Sequence, residues 1–310
     1  MRRVCGGMSD HGWTRAMREE RYEDAWAIER AVLAARDPAT CDDPTLPYHQ
    51  RWVWDGSAVD DRDVLVRCYH GLGDTLQFAR FLPVLARRAR SVAVEAPARL
   101  HPLLRFPGIA LAAFDDAHPL PPSGCDIEIT ELAFALRCAP RDVPVPYLHT
   151  TPAPLPHDTV GLCWQAGDWD ADRWVPPALL EPIAARHRCL SLVSAPTTLP
   201  VINPEGCPFD LAATAALVAG CALVITVDTM IAHLAGALGR PTWLLLKAAP
   251  DWRWDPARRD SAWYPHTRLY AQPTAGDWQT PLATIARDLD MIQGEDHGQP
   301  PQPVRARVLG

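Results

Sequence analysis

The chain has 310 residues, 48% hydrophobic and 22% charged, the mixture of a soluble globular protein and not of a disordered, collagen-like or coiled-coil one. At ~150 residues per domain, this length suggests about two domains. Thirty basic against 37 acidic residues leave a net charge of −7, which argues against wrapping nucleic acid by bulk charge but leaves room for a local phosphate pocket.

The N-terminus is charged but lacks an apolar core, so it does not read as a secretory signal. Residues 12–36 place Trp13, Met17, Tyr22, Ala25, Trp26, Ile28, Val32 and Leu33 at helical spacing, predicting one or two amphipathic helices. A polar, proline-bearing connector with RWVWDG at 51–56 leads to a predicted strand at 64–68, the turn HGLGD and a helix over 75–90. SVAVEA (91–96) reads as a strand, LHPLLRF (100–106) as a short helix and CDIEI (125–129) as a third strand. Residues 139–158 hold six prolines, which stiffen a segment and keep it out of sheet interiors, so it reads as a linker.

A second series of strands and helices follows. Strand 160–164, helix 177–187 and strand 189–194 come first. The run LAATAALVAGCALVITV (211–227) is too short for the ~20 residues of a membrane span. Its alanine-rich start and β-branched end predict helix, turn and strand, with Gly220 closing the helix. A helix over 229–238, a strand at 242–246 and a helix over 281–292 complete the series. The predicted organisation is a helical segment and connector (1–60), a Rossmann-like domain (61–138), the linker (139–158), a second Rossmann-like domain (159–293) and a disordered tail (294–310). Alternating strands and helices predict α/β architecture, two parallel sheets facing a central cleft, with ligands beyond the carboxyl ends of the strands. Nine cysteines, none in C-x-x-C spacing, exclude zinc-finger and thioredoxin readings and predict reduced thiols in a cytoplasmic protein.

Four motifs could carry chemistry. In Gly71-Leu72-Gly73-Asp74 the glycines permit a tight turn and close approach of a ligand. Leu76 breaks the dinucleotide fingerprint G-x-G-x-x-G and disfavours a nicotinamide cofactor. Asp74 has a structural reading, the N-cap of the following helix, and a chemical one, a carboxylate that takes a proton from a hydroxyl nucleophile. In the second motif, Val227 to His233, the helix start offers N–H groups to an anion. Asp228 would cap that helix or bind a sugar hydroxyl, and His233 lies one turn beyond Thr229 on the same face. The third is the loop after strand 160–164, from Trp164 to Arg173. Arg173 could grip a diphosphate in forked geometry or be a solvated surface group, and Lys247 is a weaker candidate of the same kind. The fourth, Asp251-Trp252-Arg253-Trp254 with Ser261-Ala262-Trp263-Tyr264-Pro265, is rich in tryptophan, which fills cores and domain contacts more often than it stacks on sugars or bases.

HGLGDTLQFARFLPVLARR, LVITVDTMIAHLAGALGRPTWLLL and DWRWDPARRDSAWYPHTRLYAQPTAGDW together resemble glycosyltransferase family 9, the ADP-heptose:lipopolysaccharide heptosyltransferase type, in the bacterial branch where this domain follows tetratricopeptide repeats. The resemblance runs over roughly 48–290. It implies a GT-B fold and inverting transfer of a hexosyl or heptosyl group from a nucleotide-diphospho-sugar, with no metal and no cofactor. By resemblance Asp74 is the base, and Arg173, Asp228, Thr229 and His233 bind the donor. Gly71, Gly73, Gln77, Trp164 and Lys247 are further cleft candidates. The acceptor would be a glycan, a lipid-linked sugar or a protein, with surface glycan or glycoconjugate synthesis as the setting; nucleic acid is not expected, and contact with a membrane would be peripheral. Residues 195–209 are short against the usual loop of the family. That motivates the alternative of a sugar-nucleotide-binding relative acting as sensor or scaffold without transfer.

Overall fold

The computed structural model describes residues 7–115, 117–167 and 170–296. The predicted tail lies outside the described residues from 297 onward. Two helices open the chain, α1 (Gly7–Arg18) and α2 (Tyr22–Ala34). They are followed by β1 (Asp63–Arg67), α3 (Leu72–Phe78), α4 (Leu82–Ala86), β2 (Ser91–Ala96), β3 (Ile109–Ala113), β4 (Asp126–Glu128) and α5 (Leu132–Leu136). The later elements are β5 (Val160–Cys163), α6 (Glu181–Arg186), β6 (Cys189–Ser191), α7 (Leu211–Gly220), β7 (Leu223–Val227), α8 (Met230–Ala237), β8 (Thr242–Leu246), β9 (Thr267–Ala271) and α9 (Gln279–Asp296).

The strands form two sheets, in the orders β3-β2-β1-β4 and β6-β5-β7-β8-β9. Every pairing between these strands is parallel. Central strands are continuous apolar runs because both of their faces are covered; β7 and β8 are buried at all five positions. The order reverses between β1 and β4 in the first sheet and between β5 and β7 in the second. Such switch points open a crevice at the carboxyl ends of the strands. The residues that follow β1, β5 and β7 are the Gly71–Asp74 turn, the 164–173 loop and Asp228.

The structure departs from the sequence reading in several elements. The helix expected over 75–90 is interrupted: α3 passes into a 3₁₀ turn at Ala79–Phe81 before α4. Pro83 sits in the first turn of α4; it has no N–H to donate to residue 79, and its ring crowds that carbonyl. The expected helix over 100–106 reduces to a 3₁₀ turn at Ala98–Leu100. The edge strands β3 and β9 lie in segments that carried no strand expectation. Alanine-rich IALAA has weak strand propensity, and its pairing to β2 supplies what the local sequence lacks.

The proline-rich segment runs along both sheets' helices. The Tyr147 hydroxyl donates to the carbonyls of Leu76 and Gln77 at 3.0 and 3.2 Å, while the Tyr147 N–H donates to the Ala237 carbonyl at 3.0 Å. The α1–α2 pair also touches both halves. Trp26 lies under the Arg137 guanidinium, 5.5 Å from the ring centre, and Trp13 meets Trp252 edge-on at 4.7 Å.

Candidate active site

The two halves meet where α3 packs against α8. A methyl group added at Gly73 would lie 2.9 Å from His233 Cδ2 and 3.5 Å from Met230 Cα. Glycine is therefore required by close approach of a neighbouring helix. Where the sequence reading places an open gap between residue 74 and residues 228–233, the halves are closed on each other. A cavity of about 390 Å³ lies elsewhere, lined by Tyr22, Trp26, Arg137 and Arg141 among others.

Gly71, not Asp74, occupies the cap position of α3. Asp74 sits three residues on, and its Oδ2 accepts the Gly71 N–H at 3.1 Å. Its other oxygen, Oδ1, forms an ion pair with Arg253 of the second half. Arg253 also donates from Nε to Gln77 Oε1 at 2.5 Å and from Nη1 to Asp251 Oδ1 at 2.8 Å. One guanidinium thus gathers Asp74 and Gln77 from α3 and Asp251 from its own loop.

Asp228 follows β7 and is buried. Burial first, then the neighbouring Asp251 carboxylate, push its pKa up to about 6, against the opposing pull of Arg253, Trp254 and Arg173. Thr229, not Asp228, is the cap residue of α8, and it makes no side-chain capping bond. Arg173 is buried and donates from Nη1 to the Asp228 carbonyl oxygen at 2.7 Å. It also stands 3.6 Å from Asp170, whose carboxylate takes Lys247 at 2.7 Å. Arg173, Asp228 and Lys247 are therefore joined through one loop. Trp164 is buried at the end of β5, and its carbonyl accepts the Val175 N–H at 2.9 Å.

His233 is buried between the halves, and its pKa falls well below the usual value. Burial is the main cause, followed by the charges of Arg253, Arg80 and Arg173. The ring is neutral near pH 7, so it brings no positive charge to the site. It stacks on Trp254 at 5.8 Å, and its Nδ1 lies 3.0 Å from the Tyr264 hydroxyl. Beneath it, Arg80 is fully buried. This arginine donates to the Trp263 carbonyl at 2.9 Å and lies over the rings of Tyr147 and Tyr264 at 4.8 and 4.9 Å. The tryptophans of the fourth motif are packing residues here: Trp254 is buried, and Trp252 lies 5.7 Å from Trp263.

Sequence reasoning passed over Arg253 and Asp251 as ionic groups because the tryptophans around them drew the reading toward stacking. It also assigned no metal ligand, although 168–172 runs Asp-Trp-Asp-Ala-Asp with the alternating spacing of a ligand pair. Asp170 of that run is engaged by Lys247, as above, and Asp168 lies outside the described residues.

Residues 207–272 match the glycosyltransferase family 9 (heptosyltransferase) family. That span holds Asp228, Thr229, His233, Lys247, Asp251 and Arg253, but not Asp74. No curated protein matches the chain. Among solved structures, the E. coli ADP-heptose LPS heptosyltransferase II is similar with TM-score 0.52 at 17% identity, over 75% of this chain and 100% of that one. The iron-containing dodecameric glycosyltransferase TibC from enterotoxigenic E. coli H10407 is similar with TM-score 0.52 at 15% identity, over 73% of this chain and 67% of that one. Together with the two parallel sheets, these likenesses give the chain a GT-B fold, and its likeness to glycosyltransferase family 9 lies in residues 207–272.

Proposed function

We propose that the chain is an inverting glycosyltransferase that moves a sugar from a nucleotide-diphospho-sugar to a hydroxyl acceptor without a metal. The observation that carries this reading is the pairing of Asp74, from the first half, with Arg253 of the second, a guanidinium on which Asp228 also acts. Asp74 and the start of α8 both stand beyond the carboxyl ends of their sheets, where a helix start can offer N–H groups to an anion. The first half would present the acceptor, and residues 159–293 would hold the donor. Asp74 would remove the acceptor's proton as its oxygen attacks the anomeric carbon. General-base help of this kind is worth ~10²–10⁴ in rate. The N–H groups at the start of α8 and nearby cations would meet the charge gained by the leaving diphosphate.

Family likeness supports the donor class: a TibC structure similar to this chain, with TM-score 0.50, is a complex with ADP-D-beta-D-heptose. Surface glycan or glycoconjugate synthesis is the setting we favour. The test is a thermal-shift panel of nucleotide sugars followed by transfer assays with the donors that bind. A ligand of the folded chain raises the melting temperature with concentration. Sugar release to an acceptor supports the transferase. One feature favours the binding-only alternative, namely that both Asp74 oxygens are engaged; donor binding with no transfer to any acceptor would support it.

A further inference from the structure

We propose that Arg253 is an exchange ligand: its guanidinium holds Asp74 in the ligand-free chain and passes to the donor diphosphate, releasing the carboxylate for proton transfer. This rests on the transferase reading and adds the group that couples donor binding to base release. A substrate hydroxyl would have to share Asp74 Oδ1 with the Arg253 guanidinium, and Oδ2 with the Gly71 N–H. Arg253 stands on the loop after β8, at the same end of the second sheet as Asp228. Asp74, Asp251 and Asp228 all act on it electrostatically. It keeps its charge at any working pH, and its planar fork fits two phosphate oxygens at once.

The surrounding contacts favour movement of a side chain over movement of the loop. Trp252 is set between Trp13 at 4.7 Å and Trp263 at 5.7 Å. Arg18 donates to the carbonyls of Pro250 and Asp251 at 3.0 and 3.1 Å. The backbone that carries Arg253 is thereby fixed from two sides, one of them the N-terminal helix pair. The neighbouring cations have other partners: Arg173 on the Asp228 carbonyl and Lys247 on Asp170. Arg253 is the cation of this cluster whose partner is the proposed base itself. Diphosphate and Asp74 then compete for one guanidinium, and linkage makes the competition measurable from either side.

The experiment is calorimetric titration of the full chain with ADP, UDP, GDP and inorganic diphosphate at fixed ionic strength. Wild type, Asp74→Asn, Arg253→Gln and the double variant are compared. Asp74→Asn is expected to bind the preferred diphosphate about 5-fold or more tightly, because the competing carboxylate is gone. Arg253→Gln is expected to bind it ~10-fold or more weakly. In the double variant the gain from Asp74→Asn disappears. Persistence of that gain without Arg253 would show simple charge repulsion by Asp74 and overturn the exchange. Unchanged affinity in Arg253→Gln would overturn it as well. If Arg253→Gln does not fold, Arg253→Lys replaces it, with weaker binding expected because a point charge lacks the fork. Wild-type chain that binds none of the four probes contradicts the transferase reading itself, a result distinct from binding that ignores Arg253.

Discussion

Gly73 in the first half lies so close to His233 in the second that a single added methyl would stand 2.9 Å from the imidazole Cδ2. This contact sets how nearly the two sheets' crevices approach, and so how near Asp74 comes to the second half. Gly73→Ala should force the halves apart or push His233 off Trp254, at a cost of about 1–3 kcal/mol. The check is a double-mutant cycle in denaturant. His233→Ala should remove much of the penalty of Gly73→Ala, because it empties the space the methyl needs. Additive effects would mean that the methyl is accommodated elsewhere.

Asp228 gives a pH signature. Its folded pKa of about 6 stands above the ordinary value of 3.8, so the folded chain holds this proton more tightly than the unfolded one. The stability from this group is fully present below about pH 3.8 and is lost as pH rises through about 6. Asp228→Asn, which cannot ionise, should therefore be more stable relative to wild type at pH 8 than at pH 4, by up to ~3 kcal/mol. Melting temperatures of the two proteins across that range test this. A difference that does not vary with pH would place the strain outside the carboxylate. His233 works in the opposite sense. Its pKa is depressed by burial, so the stability it contributes is present above about pH 6.5 and is lost as pH falls through its lowered folded value.

The N-terminal helix pair is expected to act on the site through the 250–254 loop. Trp13→Ala removes the edge-on contact with Trp252 and should lower the melting temperature. It should also weaken nucleoside diphosphate binding several-fold, because Arg253 is carried on the loosened loop. Loss of stability with no change in diphosphate affinity would confine Trp13 to a structural role.

The D-x-D spacing at 168–172 makes the proposed metal independence worth a direct measurement. Transfer should persist in excess chelator and gain nothing from added magnesium or manganese. Activity that is abolished by chelator and restored by one of these ions would assign the aspartates of that loop to a metal.

Much of this arrangement was legible in the sequence, for identifiable reasons. The strands around Val66, Ile225 and Leu244 are buried on both faces, and their continuous apolar runs announce them. Of the glycines that marked a close approach, Gly73 meets a helix of the other half, whereas Gly71 faces only Asp74 of its own turn. Edge strands β3 and β9 escaped because exposed residues such as Ala110 and Arg268 carry little strand pattern. Arg253 escaped because its importance lies in a partner 179 residues away, a relation that local spacing does not encode. The neutral state of His233 was hidden for the same reason: its burial is made by Trp254 and Tyr264, which arrive from a distant loop.

The most direct test of the account is the transfer rate of wild type and Asp74→Asn with a nucleotide sugar that both bind, measured at saturating donor. The account predicts a loss of ~10²–10⁴ in turnover with donor binding retained. Equal turnover in the two proteins would contradict it.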